Sequence, residues 1–104
     1  MIIVSQDKEK IVNFDKISCI YINKPDNCFV YEIIADKGNE DVASILLGEY
    51  YSAKRAKEVL EEMEWLYRCC ESYKYTRDFK TQEGIVKELN NRGFCMFRYE
   101  MPEK

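Results

Sequence analysis

The sequence contains no histidine, which excludes histidine catalysis, histidine metal ligands and a histidine pH switch. Glycine occurs 4 times and proline twice among 104 residues, which excludes collagen-like and linker-rich chains. No apolar run approaches the ~20 residues that a membrane-spanning helix needs. The chain also lacks a surplus of basic residues, since it has 16 basic and 19 acidic residues. Such a surplus is typical of proteins that bind nucleic-acid phosphates without sequence specificity.

What is present is the composition of a globular protein, with 46% hydrophobic and 34% charged residues. A chain of this length builds one hydrophobic core, so we expect a single α+β domain over residues 1–104. The apolar run at the first four residues is too short for a signal peptide. We therefore expect a cytoplasmic protein whose five cysteines are reduced.

The first half of the chain consists of short apolar segments separated by polar turns. These segments predict five strands, over residues 1–5, 11–14, 17–22, 29–35 and 42–50. The turns around Pro25 and over residues 36–41 contain the proline, glycine and Asx residues that favour chain reversal. Sequential strands joined by short turns indicate an antiparallel β-meander of about five strands.

The hydrophobic period changes at Ser52, which is a good N-cap residue. Beyond it, apolar residues recur every three or four positions as far as about Tyr73, which predicts one long helix covering the sheet. The apolar stripe of this helix comprises Ala56, Val59, Leu60, Met63, Leu66, Tyr67 and Cys70. A short helix over residues 82–90, between Thr81 and Gly93, and a final strand over 94–99 complete the prediction.

The sequence shows no catalytic signature. Its glycines are isolated, so no phosphate-binding loop is present. Without histidine, only lysine or a carboxylate could activate a nucleophile. We therefore expect a protein that is not an enzyme and that uses no cofactor.

The five cysteines do not follow the paired C-x-x-C spacing of a four-thiolate zinc site. Cys69 and Cys70 are adjacent, and on a helix they point about 100° apart. We interpret Cys19, Cys70 and Cys95 as small buried hydrophobic residues and assign no metal ligand. A zinc-stabilised structural module is retained as an alternative.

The side of the long helix opposite Ala56 carries the only tryptophan of the chain. Tryptophan is enriched at the positions that dominate binding energy in protein interfaces. We therefore predict a partner-binding surface on this side of the helix, comprising Trp65, Glu58, Glu61, Glu62 and Cys69. The alternative interpretation is that Trp65 caps the edge of the core, or that the second helix or the C-terminal tail covers it.

A second possible surface follows the long helix. Aromatic residues interleave there with basic residues, and Tyr73, Tyr75, Arg77 and Lys80 are the candidate binding residues. The aromatic residues are Tyr67, Tyr73, Tyr75 and Phe79, and the basic residues are Arg68, Lys74, Arg77 and Lys80. Such interleaving is typical of proteins that bind single-stranded nucleic acid. The net charge of −3 opposes this function, so a single-stranded nucleic-acid-binding domain is an alternative and not the main expectation.

Two stretches of the chain resemble a group of small proteins of Gram-positive bacteria, their phages and mobile elements. The first is residues 1–15, and the second joins the Leu-Gly-Glu-Tyr segment within 45–50 to the helical residues 56–63. This resemblance covers residues 1–64 and implies a phage-type protein that acts by stoichiometric binding of a host or phage protein. Type II anti-CRISPR inhibitors share the size, the mild acidity and the lack of enzymatic motifs, so the resemblance implies, at its most specific, an inhibitor of a Cas nuclease.

Overall fold

The computed structural model describes residues 1–38 and 43–104. Its elements are β1 (Ile2–Val4), β2 (Ile11–Asn13), β3 (Cys19–Asn23), β4 (Tyr31–Asp36), β5 (Ile45–Tyr50), α1 (Ala53–Tyr75), α2 (Phe79–Asn91) and β6 (Arg98–Glu100). The α+β class and the predicted order of five strands, two helices and a final strand are confirmed. Residues 39–42, which include the end of the predicted turn 36–41 and the start of the predicted strand 42–50, lie outside the described residues.

The strands form two three-stranded sheets, where the sequence predicted one meander. In the first sheet β1 is central, antiparallel to β2 and parallel to β6. The second sheet is the antiparallel meander β3-β4-β5. The two sheets separate because a short 3-10 helix over Phe14–Lys16 turns the chain between β2 and β3. The place beside β1 is taken by β6, which the chain reaches only after both helices.

A β-bulge in β5 brings the two sheets together. The bulged residue is Leu47, because consecutive residues of β4 pair with its two neighbours. The Leu47 carbonyl accepts a 2.7 Å hydrogen bond from the backbone N–H of Gln6. The Gln6 side chain accepts a bond from the Glu49 N–H at 2.8 Å and donates one to the Glu49 carbonyl at 3.0 Å. Gln6, the second residue after β1, thus closes the outer edge of β5.

The long helix α1 begins where the sequence predicts. The Ser52 hydroxyl caps it by accepting a 3.1 Å bond from the Arg55 N–H. The helix continues to Tyr75, two residues beyond the predicted end, because nothing before Thr76 breaks it. Its buried residues are Ala56, Val59, Met63, Leu66 and Cys70. The other two residues of the predicted stripe, Leu60 and Tyr67, are half-buried and pack against the core, so the predicted stripe is confirmed. No helix in residues 1–38 and 43–104 is long and apolar enough to cross a membrane.

The second helix starts earlier than predicted. Asp78, and not Thr81, is its N-cap: the Asp78 carboxylate accepts a 3.1 Å bond from the Lys80 N–H, and the Thr81 hydroxyl donates to the same carboxylate at 2.8 Å. The predicted strand 94–99 is shortened to β6, since Phe97 adopts a positive φ of 64° that interrupts an extended conformation.

Both sheets and both helices contribute to one hydrophobic core. Its largest buried side chains include Ile3, Ile33, Leu47, Tyr50, Met63, Leu66, Leu89, Tyr99 and Met101. Burying a single side chain of this size is worth about 1.5–3 kcal/mol, so this cluster is the main source of stability. It also fixes α1 against the sheets and leaves the opposite face of the helix toward the solvent and the C-terminal segment.

Candidate functional site

The predicted face of α1 forms one wall of a surface cleft of about 440 Å³. The other wall comes from the end of α2 and the turn that follows it. The lining residues are Arg55, Glu58, Glu61, Glu62, Trp65, Arg92 and Phe94. We call this feature the Trp65 cleft. The structure thus brings together four of the five residues that the sequence predicted as a partner-binding surface.

The second wall is positioned by the C-terminal cap of α2. The Phe94 N–H donates to the Leu89 carbonyl at 2.9 Å, and the Gly93 N–H donates to the Asn90 carbonyl at 3.1 Å. With Gly93 at a φ of 80°, these bonds form a Schellman motif. The sequence predicted Gly93 as the helix stop. Cover of Trp65 by the second helix or the tail was an alternative interpretation of the sequence, which did not identify Arg92 or Phe94 as the covering residues.

Trp65 is half-buried because the C-terminal segment covers part of its ring. The guanidinium carbon of Arg92 lies 4.5 Å from the ring centroid. Glu88 holds this guanidinium, with its carboxylate 3.0 Å from Arg92 Nε. The Phe94 ring packs beside the indole, with centroids 5.6 Å apart. The structure therefore combines the two interpretations of the sequence: Trp65 faces away from the centre of the helix stripe, yet it packs against the edge of the core.

The three carboxylates of the cleft differ in their surroundings. Glu58 pairs with Arg55, whose guanidinium nitrogen is 3.4 Å away. Glu62 accepts a 2.9 Å hydrogen bond from the Tyr99 hydroxyl. Burial raises the pKa of Tyr99, and the bond to Glu62 raises it further, so the phenol stays a neutral donor. Glu61 is exposed and makes no hydrogen bond or ion pair with any residue that the structure describes.

Cys69 does not line the Trp65 cleft, although it lies one helical turn beyond Trp65. It is half-buried, and desolvation raises the pKa of its thiol. This state does not suit a reactive thiolate.

The other cysteines correct one interpretation of the sequence. Cys70 is buried, but Cys19 and Cys95 are exposed, because β3 and the turn before β6 leave them at the surface. Among residues 1–38 and 43–104, no three histidine, cysteine, aspartate or glutamate side chains cluster closely enough to hold a metal ion.

The aromatic and basic residues of the predicted nucleic-acid surface divide between the core and the solvent. Tyr73 packs edge-on against Phe97, with centroids 6.0 Å apart. Tyr75 and Phe79 are 78% and 74% exposed at the junction of α1 and α2. Phe79 is one of the aromatic residues that interleave with basic residues in the sequence. The exposed Arg77 lies between these two rings in the chain.

Comparison with known proteins gave no match, whether to protein-family models, to curated proteins or to solved structures. The chemistry of the cleft is therefore inferred from its own residues. It presents a partly covered indole, two guanidinium groups and three carboxylates, one of them unpaired within the described part of the chain. These groups can form cation–π contacts, ion pairs and apolar contacts with another molecule.

Proposed function

We propose that this protein acts by stoichiometric binding to another protein, without catalysis, and that the Trp65 cleft is its contact surface. The observation that carries the proposal is the position of Arg92 over Trp65, 4.5 Å from the ring centroid, in a cleft that Glu61 also lines. Among the described residues, the Glu61 carboxylate has no partner. Tryptophan and arginine are the residue types most enriched among interface residues that dominate affinity.

The composition of the cleft favours a protein partner over a small apolar ligand. Small-molecule pockets are mainly hydrophobic and bury most of the ligand. The Trp65 cleft instead has five charged residues and two aromatic residues at its surface: Arg55, Glu58, Glu61, Glu62 and Arg92, with Trp65 and Phe94. An aromatic centre with a charged border is the usual anatomy of a protein interface.

The partner surface is expected to be basic where it meets α1. Glu58 is paired with Arg55 and Glu62 is bonded to Tyr99, so Glu61 is the carboxylate that can pair with a cation of the partner. The chain as a whole carries a net charge of −3. Electrostatic complementarity of this kind increases association rate and specificity.

In its most specific form, the proposal is that of a phage-type inhibitor of a Cas nuclease. The resemblance of residues 1–64 supports this form, and the acidic wall of α1 would face a basic nucleic-acid channel. The test is to add the protein to each of a panel of Cas nucleases, before the guide or the target is added, and to measure nuclease activity. Inhibition that saturates at one inhibitor per nuclease supports the specific form, and full activity of every nuclease contradicts it.

The broader proposal is tested by quantitative affinity capture with matched variants. Trp65→Ala and Glu61→Lys should each lose the proteins that the wild type enriches. Two controls change similar residues outside the cleft: Tyr51→Ala, at a tyrosine that is 86% exposed, and Glu64→Lys, on the exposed side of α1. Both controls should retain the same proteins. A partner that the Trp65 and Glu61 variants retain at wild-type levels contradicts the proposed surface.

A second candidate function is binding of single-stranded nucleic acid at the junction of α1 and α2. Exposed Tyr75 and Phe79 rings, flanked by Arg77 and Lys80, favour it because bases stack on such rings. Binding to oligonucleotides that weakens steeply with salt, and that Phe79→Ala reduces, would support this function. An absence of binding at low salt would remove it.

A further inference from the structure

The two edge strands of the β3-β4-β5 sheet differ in whether another segment of the chain forms hydrogen bonds with them. The β5 edge is closed by Gln6, whose backbone N–H bonds to Leu47 and whose side chain bonds to Glu49. The β3 edge has no such cover within residues 1–38 and 43–104. Within the part of the chain that the structure describes, no backbone hydrogen bond joins Cys19–Asn23 to any segment other than β4.

The sequence of β3 contains none of the features that normally protect an edge strand. Natural edges carry lysine, proline, charged inward-facing residues or bulges, which discourage pairing with another strand. β3 reads Cys-Ile-Tyr-Ile-Asn, without a charge, a proline or a glycine. Its register with β4 is regular from end to end, with no bulge to twist the edge away. This edge is therefore a template for a further strand.

The faces of β3 limit how a second copy of the chain could pair with it. Ile20 and Ile22 are half-buried and pack against the core, whereas Tyr21 is 39% exposed on the other face. When two copies of β3 pair antiparallel about a two-fold axis, the core faces of both copies lie on the same side of the joined sheet. Each residue of one copy must therefore lie opposite a residue from the same face of the other copy. Several registers meet this condition, and the register centred on Tyr21 is the one that pairs every residue of β3.

This central register is self-complementary. It places Ile20 opposite Ile22 of the second copy on the core face, and Tyr21 opposite itself on the solvent face. Branched apolar and aromatic pairs are each stabilising across antiparallel strands.

We propose that β3 pairs antiparallel with β3 of a second copy, about a two-fold axis at Tyr21, and joins the two β3-β4-β5 sheets into one. This surface lies apart from the Trp65 cleft, which α1 and α2 form, so the proposal does not depend on the proposed function. Self-association through β3 would present two clefts in one particle.

Charge swapping at the two-fold axis tests the proposal. Sedimentation of the full chain at submillimolar concentration should give twice the chain mass. Tyr21→Glu and Tyr21→Lys should each weaken self-association by about tenfold, because each places like charges opposite one another. An equimolar mixture of the two variants should recover the dimer, since glutamate then faces lysine. Tyr75→Glu and Tyr75→Lys, at an exposed tyrosine far from β3 in the chain, should dimerise like the wild type.

Each other outcome overturns the proposal. A wild type that remains monomeric leaves the edge without a second copy and available to a strand of another protein. Tyr21 variants that still dimerise place the interface elsewhere. A mixture that does not recover the dimer excludes the register centred on Tyr21. Circular dichroism of each variant checks that the fold is retained.

Discussion

The hydroxyl of Tyr99 donates a 2.9 Å hydrogen bond to Glu62, which joins a buried residue of β6 to a residue that lines the Trp65 cleft. The bond fixes one carboxylate of α1 in place. Because β6 pairs with β1 at the centre of the first sheet, the wall of the cleft is connected directly to the core. A binding surface supported in this way is largely formed before its partner arrives, which reduces the entropic cost of association.

The free energy of unfolding should be level around neutral pH and fall in alkali. Burial raises the pKa of Tyr50 from 10.0 to about 12, and it also raises the pKa of Tyr99. Above pH 10.0, the ordinary tyrosine pKa, the unfolded chain therefore binds fewer protons than the folded chain, and stability decreases as pH rises. Urea denaturation in reductant from about pH 7 to about pH 11 measures this. Stability that rises over the alkaline range would contradict the burial of these phenols.

Replacing Arg92 by alanine should expose the indole of Trp65. The guanidinium covers the ring at 4.5 Å, and such a contact contributes about 0.5–1 kcal/mol. We expect Arg92→Ala to increase acrylamide quenching of tryptophan fluorescence and to lower stability slightly. Arg68→Ala is the control, because Arg68 is exposed on α1 and pairs only with Glu64 in the described residues, at 3.8 Å. Equal quenching in the two variants would show that Arg92 does not cover Trp65 in solution.

The N-cap of α2 can be distinguished from its neighbour by two alanine substitutions. Asp78→Ala removes the acceptor for the Lys80 N–H and should destabilise the protein by about 1 kcal/mol. Thr81→Ala removes only the hydroxyl that donates to Asp78, and should cost less. Thermal denaturation compares the two variants. A larger loss from the Thr81 variant would instead support the helix start that the sequence predicted.

The hydrogen bonds of the Gln6 side chain should be important for stability. Its side-chain amide donates to the carbonyls of Glu49, Pro102 and Glu103, at 3.0, 3.3 and 2.9 Å. Gln6→Ala should cost about 2 kcal/mol and accelerate hydrogen exchange at the Glu49 amide, which loses its acceptor. Glu9→Ala, at an exposed residue of the following turn, should change neither. Unchanged exchange at Glu49 would contradict the bridge between the sheets.

Features that depend on neighbouring residues were predictable from the sequence. The start of α1 at Ser52 and its stripe from Ala56 to Cys70 follow from capping and helical period, which are local properties. The end of α2 at Gly93 follows from the conformational freedom of glycine. The alternation of Ile20, Tyr21 and Ile22 in β3 likewise appears in the observed burial.

Features that depend on residues distant in the chain were not predictable from the sequence. The pairing of Ile3 with Tyr99 joins opposite ends of the chain, and no local pattern specifies it. The third strand of the first sheet depends on that pairing. The residues that cover Trp65 were also not predictable, because they are distant from it in the chain. A helical wheel places Trp65 away from the apolar stripe, but it does not show that Arg92 and Phe94 pack against the indole. The sequence predicted Thr81 as the N-cap of α2, whereas the observed N-cap is Asp78, because the polar turn contains several residues that are acceptable caps.

The most direct test of the binding claim is fluorine NMR of the protein labelled with fluorotryptophan, titrated with a partner obtained by affinity capture. Trp65 is the only tryptophan, so the labelled chain gives a single resonance that reports on the cleft. We expect this resonance to shift and to saturate at one partner per chain, and we expect Glu61→Lys to abolish the shift. A partner that binds with full affinity while the resonance stays unchanged would contradict contact at the Trp65 cleft.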